Sequence, residues 1–219
     1  MRDPPVNAHP DLTRPDTTRP HTTHPDTTHP DNGRRGMTVW LTGLPSAGKS
    51  TLARAAADSL VHKGLRVEVL DGDQVRPHLS AGLGFSREDR NLNVTRIGWV
   101  ARLLAGHGVI VLVPVIAPYA SARAAVRADH DHHGVGYAEV FVSAPVQVTA
   151  ARDAKGLYAR QARGEITGLT GVDDPYEAPT EPDLVVDTVD VELAAGVATI
   201  VDLVTARAGR PARTAGVPA

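Results

Sequence analysis

The sequence predicts an α/β fold: a parallel, doubly wound sheet flanked by helices. Three observations predict it. From residue 37 to residue 207, short apolar runs alternate with amphipathic stretches, the pattern of strands joined by crossover helices. The run 109–116 is almost continuously apolar, as a strand covered on both faces must be. The first run ends in a glycine-rich segment that leads straight into helical spacing.

The elements follow in order. Residues 38–42 are β-rich and end at Gly43. Residues 50–63 read as a helix with Gly64 as its stop signal. Residues 66–70 form the next strand. Val94, Ile97, Ala101 and Leu104 place helical spacing in 90–105. The apolar strand 109–116 precedes a short helix at 121–129 and a strand at 138–142. Residues 146–152 and 157–163 read as helices, 184–187 as the last strand and 191–206 as the closing helix. The charged, proline-rich stretch 153–182 reads as an extended connection, of the kind that often forms a lid or a binding loop.

Residues 1–36 differ in kind. They hold seven of the 17 prolines and carry a five-residue repeat, HPDLT, RPDTT, RPHTT, HPDTT, HPDNG. Proline at every fifth position blocks helix and central strand, and too little apolar surface is present to offset chain entropy. The segment is expected to be a disordered tail, and its four histidines a solvated feature rather than a metal site. The division is therefore a tail at 1–36, one domain at 37–207 and a flexible C-terminal tail at 208–219.

The 219-residue chain has a net charge of −2 and no cysteine. Disulfides, thiolate metal sites and cysteine nucleophiles are excluded. No apolar run reaches the ~18 residues of a membrane span, and the polar, proline-rich start does not read as a signal peptide. The balanced charge gives no footprint for nucleic acid. The expectation is a cytoplasmic protein acting on small molecules.

The segment Gly43-Leu44-Pro45-Ser46-Ala47-Gly48-Lys49-Ser50 fits G-x-x-x-x-G-K-[ST]. Backbone N–H groups of such a loop, with the helix N-terminus that follows, cradle phosphates. Lys49 reaches the β- and γ-phosphates, and the Ser50 hydroxyl can ligand Mg²⁺. The loop lies between a predicted strand and a predicted helix, the context that the motif requires. ATP and Mg²⁺ are the expected cofactors, with Thr51 completing the nucleotide set.

A guanine-reading Asn-Lys-x-Asp segment is missing, and residues 109–113 lead to Pro114 rather than to the Asp of motor-type ATPases. The acid comes earlier, in Leu70-Asp71-Gly72-Asp73. That placement suits a small-molecule kinase whose acid lies near both Mg²⁺ and the acceptor hydroxyl; the plain alternative is an Asp-Gly turn. Arg76, Arg87, Arg90 and Arg96 follow, and arginine forks match phosphate and sulfate oxygens. Phe85 lies in a glycine-rich stretch and is read as a base-stacking aromatic; Tyr119, Tyr158 and Tyr176 are read the same way. The run Asp129-His-Asp-His-His133 is read as a polar helix end, since adjacent residues rarely converge on one ion.

Together these segments resemble the adenylylsulfate kinase family. The matching stretches are GLPSAGKS (43–50), LDGDQVR (70–76), LGFSREDRNLNVTR (83–96), PVIAPY (114–119) with Arg123, EVFV (139–142), RDAKGLY (152–158) and LTGVDDPYEAP (169–179). The resemblance implies a P-loop kinase fold with a mobile lid at 152–177, a homodimer, and transfer of phosphate from ATP to the ribose 3′-hydroxyl of adenosine 5′-phosphosulfate. By position, Asp73 matches the acid near Mg²⁺ and acceptor, and is paired with Lys49 as catalytic. Arg76, Arg90 and Asn93 match residues that hold the phosphosulfate nucleotide, and Phe85 the aromatic that stacks on its adenine. Ile116, Ala117, Lys155, Leu169 and Thr170 match further acceptor contacts.

Two positions depart from the family pattern. Relatives often carry at position 117 a serine proposed as a phosphoenzyme site; alanine has no hydroxyl, so transfer is expected to be direct. Relatives commonly carry phenylalanine at position 169; leucine keeps an apolar wall but forgoes a stacking face worth ~1 kcal/mol. The other readings are a kinase of a different anionic or nucleoside acceptor, and a nucleotide-binding module without turnover.

Overall fold

The computed structural model describes residues 36–208; the repeat at 1–35 and the tail at 209–219 lie outside the described residues. The element order is β1 (Met37–Thr42), α1 (Lys49–His62), β2 (Val67–Val69), α2 (Gly72–Leu79), α3 (Arg87–Gly106), β3 (Ile110–Pro114), α4 (Ala120–His132), β4 (Gly136–Ser143), α5 (Val146–Arg152), α6 (Leu157–Ala162), β5 (Leu184–Asp187) and α7 (Leu193–Ala208). The five strands are all parallel, in the order β2-β3-β1-β4-β5. This is the doubly wound α/β sheet that the alternation of strands and helices predicts.

Period-two alternation divides the core into two layers. Val39 and Leu41 of β1 join Ile110 and Leu112 of β3 under α1 and α7, whose Leu52, Ala56, Leu60, Ile200 and Val204 fill that face. Trp40, Val111 and Val113 point the other way, onto Val94, Ile97 and Ala101 of α3 and Val126 of α4. At Gly98 a Cβ would approach Val126 within 2.7 Å, so glycine sets the closeness of α3 to α4. β1, the central strand, delivers its C-terminal end to the crevice where ligands bind in open α/β sheets.

Two local features go beyond the sequence reading. Residues 72–79 form helix α2, so the alternative of a plain Asp-Gly turn does not hold. The Asp71 carboxylate accepts from the Asp73 backbone N–H at 3.2 Å and caps α2. The helix contains Pro77, which hid it from a periodicity reading. The run 129–133 is a polar helix end only in part. His130 is buried, with one ring nitrogen 2.8 Å from the Val126 carbonyl and the other 2.8 Å from the Thr38 hydroxyl. Burial lowers its pKa, so it is a neutral core histidine beneath the Tyr137 ring.

Candidate active site

The phosphate loop begins where β1 ends. A Cβ at Gly43 would lie 2.4 Å from the Val142 carbonyl of the neighbouring strand, so only glycine lets the chain leave the sheet here. Gly48, at φ 99°, precedes α1 and turns the chain into the helix N-terminus. Lys49 is 8% exposed and donates to the carbonyls of Gly43 at 2.9 Å and Leu44 at 2.7 Å. Burial, then the nearby Lys155, lower its pKa to about 7, while Asp73 and Asp71 oppose the shift. Lys49 is thus bonded to neutral carbonyls, and a bound polyphosphate would supply its counter-charge.

Two braces behind the loop were not foreseen. The Tyr158 hydroxyl of α6 donates to the Pro45 carbonyl at 3.2 Å and pairs with the Thr149 hydroxyl. The Thr188 hydroxyl, just past β5, donates to the Ala47 carbonyl at 3.0 Å, and Arg152 holds the Thr188 carbonyl at 2.6 Å. The bonds to Pro45 and Ala47 join residues more than a hundred positions apart, so no local pattern reveals them.

Asp71 and Asp73 divide their work. Asp71 is buried, capping α2 and pairing with Arg54 at 3.1 Å. Asp73 is exposed in the first turn of α2, and its carboxylate pairs with Lys155 from the connection after α5. Of the two, Asp73 is therefore the acid available to a substrate.

The four arginines also separate. Arg76 lies 4.4 Å over the Phe85 ring and donates to the Gly84 carbonyl at 3.0 Å. Arg90 donates to the Phe85 carbonyl, the Thr170 hydroxyl and the Gly168 carbonyl at 2.8, 2.7 and 2.6 Å. Arg87 and Arg96 are structural, one over the Tyr119 ring at 4.2 Å and the other on the Leu79 carbonyl at 2.9 Å.

Phe85 is 67% exposed, with the Arg76 guanidinium over its ring. The tyrosines do not share that exposure. Tyr119 and Tyr158 are buried, and the Tyr176 hydroxyl bonds the Thr42 hydroxyl while its ring packs near Phe141. Asn93 is bonded to Ser80, which orders it on α3. Leu169 and Thr170 are buried in the turn that Arg90 grips.

Ile116 and Ala117 follow β3 directly. The Ile116 carbonyl accepts from the Thr42 hydroxyl at 2.5 Å. Ala117 is 3% exposed at φ 43°, and its carbonyl accepts from Arg123 at 2.7 Å. Such left-handed backbone costs a non-glycine residue on the order of 1–3 kcal/mol, and the buried Arg123 holds it in place. Arg123 also pairs with Glu139 at 2.6 Å.

Among the described residues no group of three or more His, Asp or Glu side chains can hold a metal by itself. A single hydroxyl, Ser50, at the first turn of α1 is the fitting donor for an ion that takes its other ligands from phosphates and water.

Comparison with known proteins agrees with this arrangement. The adenylylsulphate kinase family model matches residues 35–187. The adenylyl-sulfate kinase of Chloroflexus aurantiacus is 58% identical over 151 residues, 69% of this chain and 79% of its own length. That of Myxococcus xanthus is 55% identical over 162 residues, 72% of this chain and 87% of its own. The Mycobacterium tuberculosis APS kinase, solved in complex with AMPPNP and APS, superposes with a TM-score of 0.76 at 45% identity, covering 78% of this chain and 99% of that one.

Proposed function

The chain belongs to the adenylylsulphate kinase family, and from that premise we infer that it moves the γ-phosphoryl group of ATP to the 3′-hydroxyl of adenosine 5′-phosphosulfate. The products are ADP and 3′-phosphoadenosine 5′-phosphosulfate. The observation that carries the reading is the family match over residues 35–187, which takes in the phosphate loop, Asp73 and its partner Lys155.

Phosphoryl transfer asks the protein mainly for positioning and charge. The loop from Gly43 to Thr51 holds the triphosphate, with Lys49 on its outer phosphates. When bound, Mg²⁺ would be held by the Ser50 hydroxyl and would neutralise phosphate charge. Asp73 leaves Lys155, orients the acceptor 3′-hydroxyl and takes its proton late, as the new oxygen–phosphorus bond forms and the bond to ADP breaks. Lys155, freed from Asp73, turns its charge to the anionic substrates. Arg76 and Arg90 face the phosphosulfate, Asn93 the nucleoside, and Phe85 stacks on the adenine while Leu169 and Thr170 line its other side. Ile116 and Ala117 form the floor. A buried alanine at 117 offers no oxygen, which supports direct in-line transfer.

The same proposal includes the tail at 1–36, the kinase domain at 37–207, the lid at 152–177 and the homodimer implied by the resemblance; light scattering giving a monomer mass would contradict the last. It also includes a cytoplasmic location. No described helix is long and apolar enough to cross a membrane. The reaction is tested by ADP release measured with and without adenosine 5′-phosphosulfate. ADP dependent on the acceptor is expected, and ADP indifferent to it would contradict the reading.

A further inference from the structure

Two adjacent aspartates hold the turn that carries Leu169, and they face opposite ways. Asp173 closes its own turn: its carboxylate accepts from the Gly168 backbone N–H at 2.9 Å and from that of Leu169. Asp174 reaches out of the turn. Its carboxylate accepts from the Tyr119 hydroxyl at 3.2 Å and lies 3.7 Å from Arg90 Nη2. Tyr119 caps the start of α4, two residues beyond the strained Ala117. Arg90, on α3, already spans the Phe85 carbonyl and the Gly168 carbonyl.

The charge balance gives Asp174 a specific task. The oxygens that accept Arg90's hydrogen bonds are all neutral. Among the described residues, Asp174 is the only carboxylate in ion-pair range of that guanidinium. The two side chains are sheltered, at 13% and 23% exposure, where solvent screens less than at the open surface. Removing the carboxylate would leave Arg90 partly buried without counter-charge and free the Tyr119 hydroxyl. Both changes loosen the link between the Phe85 turn and the Leu169 turn.

We propose that Asp174 is a positioning residue for the acceptor: through Arg90 and Tyr119 it sets the separation of the Phe85 and Leu169 turns, and so the fit of the adenine between them. The inference rests on the adenylylsulfate kinase reading and deepens it. Its side-chain contacts run to Arg90 on α3 and Tyr119 at the start of α4, so its loss should be felt in acceptor binding more than in ATP binding.

The test compares wild type with Asp174→Ala, Asp174→Asn and Tyr119→Phe, by steady-state kinetics and by equilibrium titration with adenosine 5′-phosphosulfate. Asp174→Ala is expected to raise the acceptor KM and Kd at least about tenfold, with the ATP KM within about twofold and kcat within about threefold. Asp174→Asn keeps an oxygen for Tyr119 but loses the charge facing Arg90, and is expected to fall between. Tyr119→Phe should cost about threefold in the acceptor KM alone, and it carries the test should the Asp174 variants fail to fold. Acceptor constants within twofold of wild type in every folded variant would overturn the inference. So would an ATP KM that rises in step with the acceptor KM, the mark of a general structural loss. A wild-type enzyme that neither binds nor phosphorylates the acceptor would instead overturn the functional reading, and this inference with it.

Discussion

Lys49 donates to carbonyls five and six residues back in the chain, whereas Arg90 donates to groups 78 and 80 residues ahead. The lysine grip of the phosphate loop is a local device. Its turns rest on Gly43 and Gly48 and on the strand and helix on either side, while Tyr158 and Thr188 brace the Pro45 and Ala47 carbonyls from a distance. The acceptor side is assembled at long range by side chains, from α2, α3, the end of β3 and the turn at 168–174. A local device tolerates change elsewhere but not within itself. An assembled one distributes its cost over many contacts, each modest.

That contrast orders the expected effects. Within the phosphate loop, Lys49→Ala should lower kcat/KM roughly 10³-fold, since it removes a preorganised charge from a sheltered site. On the acceptor side, Asp73→Asn should cost roughly 10²-fold, with the loss in kcat, because it abolishes proton acceptance while keeping the side chain's size. Steady-state kinetics on both variants checks the order; near wild-type activity in either would break the assigned role.

A pH series sharpens the same contrast. Burial lowers the Lys49 pKa to about 7, and a bound polyphosphate favours the charged lysine. Nucleotide affinity should therefore be full below pH 7. It should weaken by up to tenfold per unit above it, until the raised pKa of the bound state is reached. Titration calorimetry with ADP between pH 6 and 9 measures this, and a flat profile would contradict it. The smallest effect is expected from deleting residues 1–35, with Gly36 kept because it lies so close to the Ala105 and Val109 backbone that a Cβ there would be 2.3 Å from the Ala105 carbonyl. Activity should be unchanged, and a large loss would show that the repeat has a role in catalysis.

The sequence was most legible where the physics is local. The runs that form β1, α1, β3 and β4 carry their periodicity openly, and the phosphate-loop motif lies between β1 and α1 as its pattern requires. α2 was missed because Asp-Gly and Pro77 read as turn signals, although Asp71 in fact caps a helix. The Tyr119, Tyr158 and Tyr176 rings read as base-stacking aromatics, but their hydroxyls bond partners 55, 113 and 134 residues away that nothing local marks. His130 is a similar case, its core partner Thr38 being 92 residues distant. Asp73, Phe85 and the arginines stand out by placement and chemistry, whereas Asn93, Ile116, Ala117, Lys155, Leu169 and Thr170 come only through the resemblance. Composition and spacing alone gave a set of arginines, of which the fold spends Arg87 and Arg96 on structure.

The central claim is direct transfer between two substrates held by these two regions, with Ala117 supplying no covalent way-station. Rapid quenching of the enzyme with γ-labelled ATP and adenosine 5′-phosphosulfate tests it most directly. The account predicts that all transferred label appears on the nucleotide product and none on the protein, with or without acceptor. A stoichiometrically labelled protein that passes its label to the acceptor would contradict it.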